Sequence, residues 1–228
     1  MTRFRPLAVA SFFVAASLGL CATAAQAATT TYTSSSSFQS SLPAGNYVNT
    51  TWNGLDGFAA GTQNFSGGTP TTAYTARNNA GEDFFVDTFF TPPVLSTANG
   101  GAKSVITFDF TGSNSVYSVG GGFVVTNAAG TRLAGPTLGL AFWSGTNGTG
   151  TQLASATVAS TTGSGSDPLP FFGLTSTDPI GSLVVTPSAS FTNINNFITA
   201  VPEPSSVATT ALAVAALAGA TLQRRRRA

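Results

Sequence analysis

The sequence predicts an all-β fold, an antiparallel β-sandwich of jelly-roll type, framed by an apolar segment at each end of the chain. Three observations carry this reading. Between residues 28 and 200 about three residues in ten are Ser or Thr, which with the aromatic content favours strands and turns over helices. No segment there keeps a 3.6-residue period through three turns, whereas short β-type runs recur between clusters of Gly, Asn, Ser and Pro. Residues 104–110 alternate strictly, with Ile106, Phe108 and Phe110 on one side and Val105, Thr107 and Asp109 on the other. That alternation predicts a strand with one buried face.

Composition removes several function classes at once. The chain has 228 residues, of which only 7% are charged, with a formal net charge of +1, no histidine and one cysteine. Without histidine there is no Ser-His-Asp or Cys-His machinery and no common Cys/His zinc site. No basic surface is large enough to hold nucleic acid through its phosphates.

The first element is an export signal. Arg3 and Arg5 precede an uncharged apolar run, residues 7–20, and Ala25-Gln26-Ala27 follows. A basic start, an apolar stretch and small residues at the −3 and −1 positions make a secretory signal peptide with a helical core. Signal peptidase would cut after Ala27 and leave Ala28 first; a buried N-terminal helix is the alternative. Cys21 raises a lipoprotein signal, but Leu20 stands where a small residue is wanted. Cleavage would remove the only cysteine, so packing and not a disulfide must stabilise the domain.

The exported domain spans 28–200, with three basic residues (Arg77, Lys103, Arg132) against seven acidic ones. Strands are expected at 46–51, 84–89, 104–110, 116–126, 138–143, 152–158, 171–174, 182–186 and 193–198. Turns are expected at 111–114, 127–130, 144–150 and 163–167. Gly120-Gly121-Gly122 inside a strand run signals a bulge or a close backbone approach. It is not a phosphate loop, since no helix-forming stretch or Lys-Ser/Thr follows.

The last element begins with Val201-Pro202-Glu203-Pro204. Eighteen uncharged, mostly apolar residues, 205–222, follow, then Gln223 and Arg224, Arg225, Arg226 and Arg227. As a helix, that run spans about 27 Å, enough for a thin bilayer. The arginines would stop translocation and stay cytoplasmic, holding the main domain outside. An amphipathic surface helix is the alternative, but the run lacks a polar stripe; a nucleic-acid tail is disfavoured by the apolar segment before it. The two prolines preset an extended backbone around Glu203, suited to a protease cleft or to a plain stalk.

Motif, span and arginine cluster, in this order, resemble the PEP-CTERM sorting signal of exported proteins in Gram-negative bacteria. The resemblance covers 201–228. It implies recognition by an exosortase, a membrane-embedded cysteine protease/transpeptidase-like enzyme, with processing near the motif and transfer to the cell surface or release. Ile106-Thr107-Phe108-Asp109-Phe110, Phe171-Phe172-Gly173-Leu174, residues 180–185 and Ile194-Asn195-Asn196-Phe197 are similar to core strands of many proteins with this tail. Those domains look like galactose-binding or lectin-like sandwiches. Asn195 stands where their pattern has Asp, which removes a carboxylate from any ion site there.

Within the domain, Glu82, Asp83 and Asp87 form the one acidic cluster. On a strand, Asp83 and Asp87 would share a face, and the group could offer oxygens to calcium; an exposed strand end is the plainer reading. Trp52 and Trp143, with Tyr47 and Tyr74, are candidate sugar-stacking residues at loop mouths, or else core and rim packing. Asp56, Asp109 and Asp167 could serve a glycosidase only if the fold pairs them. The threonines of 29–33 raise ice binding, but no internal repeat presents Thr regularly. The expectation is a non-enzymatic exported protein without a cofactor. It would start as an inner-membrane-anchored precursor and end at the cell surface or in the extracellular matrix. A carbohydrate-binding module for exopolysaccharide is the rival reading, and a glycan hydrolase the third.

Overall fold

The computed structural model describes residues 27–52, 57–59, 62–67, 72–98, 100, 104–112 and 114–201. The predicted signal segment up to Gln26 and the tail from Pro202 onward lie outside the described residues. No helix among the described residues is long and apolar enough to cross a membrane.

The chain forms β1 (Thr29–Tyr32), α1 (Ser35–Ser41), β2 (Tyr47–Thr50), β3 (Gly57–Ala59), β4 (Thr62–Gly67), β5 (Thr72–Asn78), β6 (Phe84–Asp87) and β7 (Val94–Thr97). It continues with β8 (Ile106–Asp109), β9 (Val116–Thr126), β10 (Thr137–Trp143), β11 (Gln152–Ala159), β12 (Phe171–Ile180), β13 (Ser182–Pro187) and β14 (Phe191–Ala200). Two antiparallel sheets result. One runs β1-β12-β9-β14-β7-β6-β3, with β2 also on β14; the other runs β11-β10-β13-β8-β5-β4. They enclose one main core, which includes Phe84, Leu95, Phe108, Phe123, Leu140, Phe142, Leu174, Leu183 and Phe197.

All nine strands expected from the sequence are present, with shifted ends. β6 stops at Asp87 rather than residue 89 because the Asp87 carboxylate accepts the Phe89 N–H at 2.8 Å and turns the chain. β12 runs six residues past the expected end, since β1 supplies it with an outer partner. The reading missed β1, β3, β4, β5, β7 and α1, whose segments are rich in Thr, Ser and Ala and weak in apolar periodicity. One expectation is corrected: β8 is buried on both faces, with Thr107 1% and Asp109 6% exposed. Thr107 donates to Asn79 Oδ1, and Asp109 is covered by Arg77 and the loop that follows β10.

The outer face of the larger sheet is also covered. Phe38 of α1 is fully buried with Leu42, Ile198 and Ala200. Its ring lies over the paired glycines Gly120 and Gly173: a Cβ on either would stand within 2.8 Å of ring carbons. A second cluster, Phe90, Val94, Val124 and Leu169, fills the other end of that face. The glycine run therefore marks a close approach. The expected bulge lies opposite it, on β14, where the register slips between Asn195 and Ile198. Asn196 takes φ +45°, a conformation asparagine tolerates. The extra residue turns Phe197 into the main core while Ile198 faces Phe38.

Candidate functional site

With the larger sheet covered on both faces, the free surface is the outer face of the six-stranded sheet. Along β10 large and small residues alternate. Leu138, Leu140 and Phe142 point into the core; Gly139, Ala141 and Trp143 point out. Ser155 and Thr157 of β11 stand opposite Ala141 and Gly139 on one side, and Val184 and Thr186 of β13 on the other. Small residues between two taller rows leave a trench along β10. It is an open groove of about 510 Å³ lined by Gly139, Ala141, Ser155, Thr157 and Thr186 together with Leu140 and Ala156. The taller rows are two strand spacings apart, about 9–10 Å, the width of one extended polymer chain. No charged residue lies between Arg132 and Asp167, so both β10 and β11 are neutral.

The loop 144–150, which follows β10, folds back over the sheet onto β13 and β8. Gly148 N–H donates to Ser182 Oγ at 3.0 Å, and Ser182 Oγ donates to Gly145 O at 2.7 Å. Half-buried Trp143 lies beneath this loop: a Cβ on Gly148 would stand 3.8 Å from its Nε1. Asn147 sits at the tip with φ +57°. Its N–H donates to Asp109 Oδ1, and its Oδ1 accepts from Arg77 Nη2 at 3.0 Å. Arg77 Nε donates to Asp109 Oδ2 at 3.1 Å, and Nη2 contacts the same oxygen. Arg77, Asp109 and Asn147 thus clamp the loop.

The opposite end of the sandwich is held by a second arginine. Arg132 is 4% exposed. Its guanidinium donates to Thr161 O, Thr161 Oγ1, Ser164 O, Asp167 O and Pro168 O, at 2.8–3.3 Å. Asp167 accepts from Ser164 N–H at 2.7 Å. That bond, the Ser164 side chain and the Arg132 charge hold its carboxyl below the ordinary carboxylate value.

The sequence-predicted sites separate on this frame. Trp52 is not a sugar platform. It is 2% exposed, its indole donates to Ile194 O at 2.8 Å, and its ring packs edge-on to Phe65 and parallel to Phe197. Tyr74 is likewise core: burial pushes its phenol well above the ordinary tyrosine value, and its hydroxyl donates to Thr50. Tyr47 packs on the Phe38 cluster. Trp143 points to the outer face of the sheet but is half-buried beneath the loop 144–150. Asp83, expected to share a strand face with Asp87, precedes β6, as does Glu82. Among the described residues no group of three His, Cys, Asp or Glu is placed to hold a metal ion. Asp109 pairs with Arg77 at one end of the fold, whereas Asp167 lies in the Arg132 loop at the other. Asp56, the third glycosidase candidate, lies outside the described residues.

The described residues reach the edges of the two predicted processing segments. Ala28 N–H donates to Thr177 Oγ1, and Thr177 N–H donates to Ala28 O, both at 3.0 Å, just before β1. Val201 is 5% exposed and its N–H donates to Asn46 O at 3.3 Å. Ala27 packs partly against the core. Ala25, Pro202, Glu203, Pro204 and Arg224–Arg227 lie outside the described residues. Ala200 pairs with Ser118, Ser118 with Thr175, and Thr175 with Thr30. Ala28 and Val201 therefore lie at the same end of one sheet, three strand spacings or about 14 Å apart. The trench itself escaped the sequence reading. Its only local trace was the large-small alternation of residues 138–142, and which strands flank it is a matter of topology. A scan of the sequence against protein-family models finds no match, and a search of curated proteins finds none either.

Proposed function

We propose that this protein is an exported, non-enzymatic component of the cell surface or extracellular matrix, delivered by its signal peptide and sorted by an exosortase through a PEP-CTERM tail. One observation supports this most. Ala28 and Val201, beside which the sequence places signal cleavage and the sorting motif, are both hydrogen-bonded at the same end of one sheet, so the two predicted processing points lie on one side of the body. In the precursor, residues 205–222 form the transmembrane helix of the inner-membrane anchor, with the arginine cluster on the cytoplasmic side. Signal peptidase acts first and the exosortase second. The body belongs to the jelly-roll, galactose-binding-like group of sandwiches.

The test is a fractionation blot of wild type, Glu203→Ala and an exosortase deletion. Wild type should reach the surface or medium. The other two should leave an inner-membrane form about 2–3 kDa heavier, the mass of an uncut apolar tail. Wild-type processing and location of Glu203→Ala would refute the sorting reading and leave the tail as an anchor.

A second reading rests on the trench. A neutral, open groove one chain wide, with hydroxyls along both walls, suits a linear uncharged glycan of the exopolysaccharide. A glycan array on wild type and Gly139→Leu, which fills the trench floor, tests it. Binding should fall at least tenfold in the variant, and equal binding by both would exclude the trench. Turnover of envelope polysaccharide by the pure protein would instead favour the hydrolase.

A further inference from the structure

Strand β11 ends the six-stranded sheet and pairs only with β10. It is eight residues long, Gln152–Ala159, where the opposite edges β3 and β4 have three and six and β1 has four. Exposed edges of this length are ordinarily protected by lysine, proline, inward charge or a bulge. β11 contains no charge and no proline. Its bulge lies at the start, between Phe142 and Trp143 of β10, and leaves Ala154–Ala159 regular. The outward N–H and C=O groups of this edge are open to a second strand.

We propose that β11 pairs with β11 of a second copy, antiparallel and centred on Ala156, so that the two six-stranded sheets continue as one. A two-fold contact brings each side chain close to its own copy or its mirror position. Any charge on the strand would meet a like charge, and β11 carries none. The centring follows from the faces. Ala156 then meets Ala156, and exposed Ser155 meets exposed Thr157 of the partner twice, hydroxyl to hydroxyl, a favourable cross-strand pair. Half-buried Ala154 meets Val158 on the core side. Side chains that point out in one copy point out in the other, and the trenches of the two copies lie side by side along the seam. A single strand pair falls at the small end of interfaces, below about 1,200 Å². The dimer should therefore form where copies are crowded on one surface.

The test uses the full chain, purified in detergent, in a Cys21→Ser background. Directly opposed Cα atoms of an antiparallel pair are about 4.5–5.5 Å apart, within disulfide range, whereas diagonal positions, about 7–8 Å apart, exceed it. Ala156→Cys should give a disulfide dimer under mild oxidation. Ser155→Cys and Thr186→Cys, the latter two strands from the edge, should not. Ser155→Lys/Thr157→Lys places lysine opposite lysine at exposed sites, so the dimer dissociation constant should rise at least tenfold while the melting curve stays that of wild type. Absence of the Ala156→Cys dimer, a band from Ser155→Cys in its place, or an unchanged dissociation constant in the folded double-lysine variant would each overturn the proposal.

Discussion

Replacing Arg132 with methionine keeps the length and apolar stem of the side chain and removes the guanidinium. In the native fold that group engages the whole loop between β11 and β12, from Thr161 to Pro168, through five hydrogen bonds. Four of the acceptors are backbone carbonyls, of which Ser164 O also accepts from the Asp167 N–H at 3.2 Å. Hydrogen bonds to a charged group contribute about 1.5–3 kcal/mol each, net of the exchange with water. The loop is largely exposed, so water can replace most of these partners in the variant, and a net cost of about 3–5 kcal/mol, equivalent to roughly two such bonds, is expected. For a domain of this size, each kcal/mol lowers Tm by about 2–4 °C, which predicts a fall of roughly 6–20 °C. Arg132→Lys should lie between, because an ammonium has three donors and no planar fork. Circular-dichroism melts of the exported protein measure the shift, and limited proteolysis should cut the variant first within residues 161–168. A methionine variant within 1 kcal/mol of wild type, about 2–4 °C, would refute the assignment of the loop's order to Arg132.

The Phe38 seat predicts that Gly173→Ala, whose Cβ would stand 2.7 Å from the ring, costs about 1–3 kcal/mol by overpacking. Phe38→Ala should cost about 3–5 kcal/mol by leaving a cavity; chemical denaturation reads both, and equal stability of Gly173→Ala would mean α1 is loosely held. Asp167 has a folded-state pKa below its ordinary value of 3.8, so its contribution to the loop is complete above that value and fades as pH falls through the lowered one. Hydrogen exchange should show the amide of Ser164 losing protection only at the acid end of a pH 7 to pH 2 series, and not in Asp167→Ala, which lacks the acceptor and should be unprotected throughout. Mass-spectrometric sequencing of the exported protein should give Ala28 as the first residue, its α-amino group still within reach of Thr177 Oγ1; a lipid-modified Cys21 would overturn that cleavage site.

Local sequence determined where this protein has strands whenever the apolar pattern was strong. Residues 116–126 were read to the residue, because β-branched and aromatic side chains sit between unambiguous turn signals at both ends. The expectations for the two terminal segments rest on the same kind of local signal: charge, apolar length and small or proline residues over short contiguous stretches. Only the tertiary structure decided what alternation could not. β8 reads as half-exposed, yet a loop from 38 residues downstream brings Asn147 onto Asp109 and buries its second face. Trp52 reads as a loop aromatic, yet its partner carbonyl, Ile194, is 142 residues away. The trench joins β11, β10 and β13, which neighbour one another only because β12 crosses to the other sheet between β11 and β13. Period and propensity report a residue's own strand, whereas burial, pairing and groove shape depend on which distant strand lies beside it, and that is set by the packing of the whole sandwich.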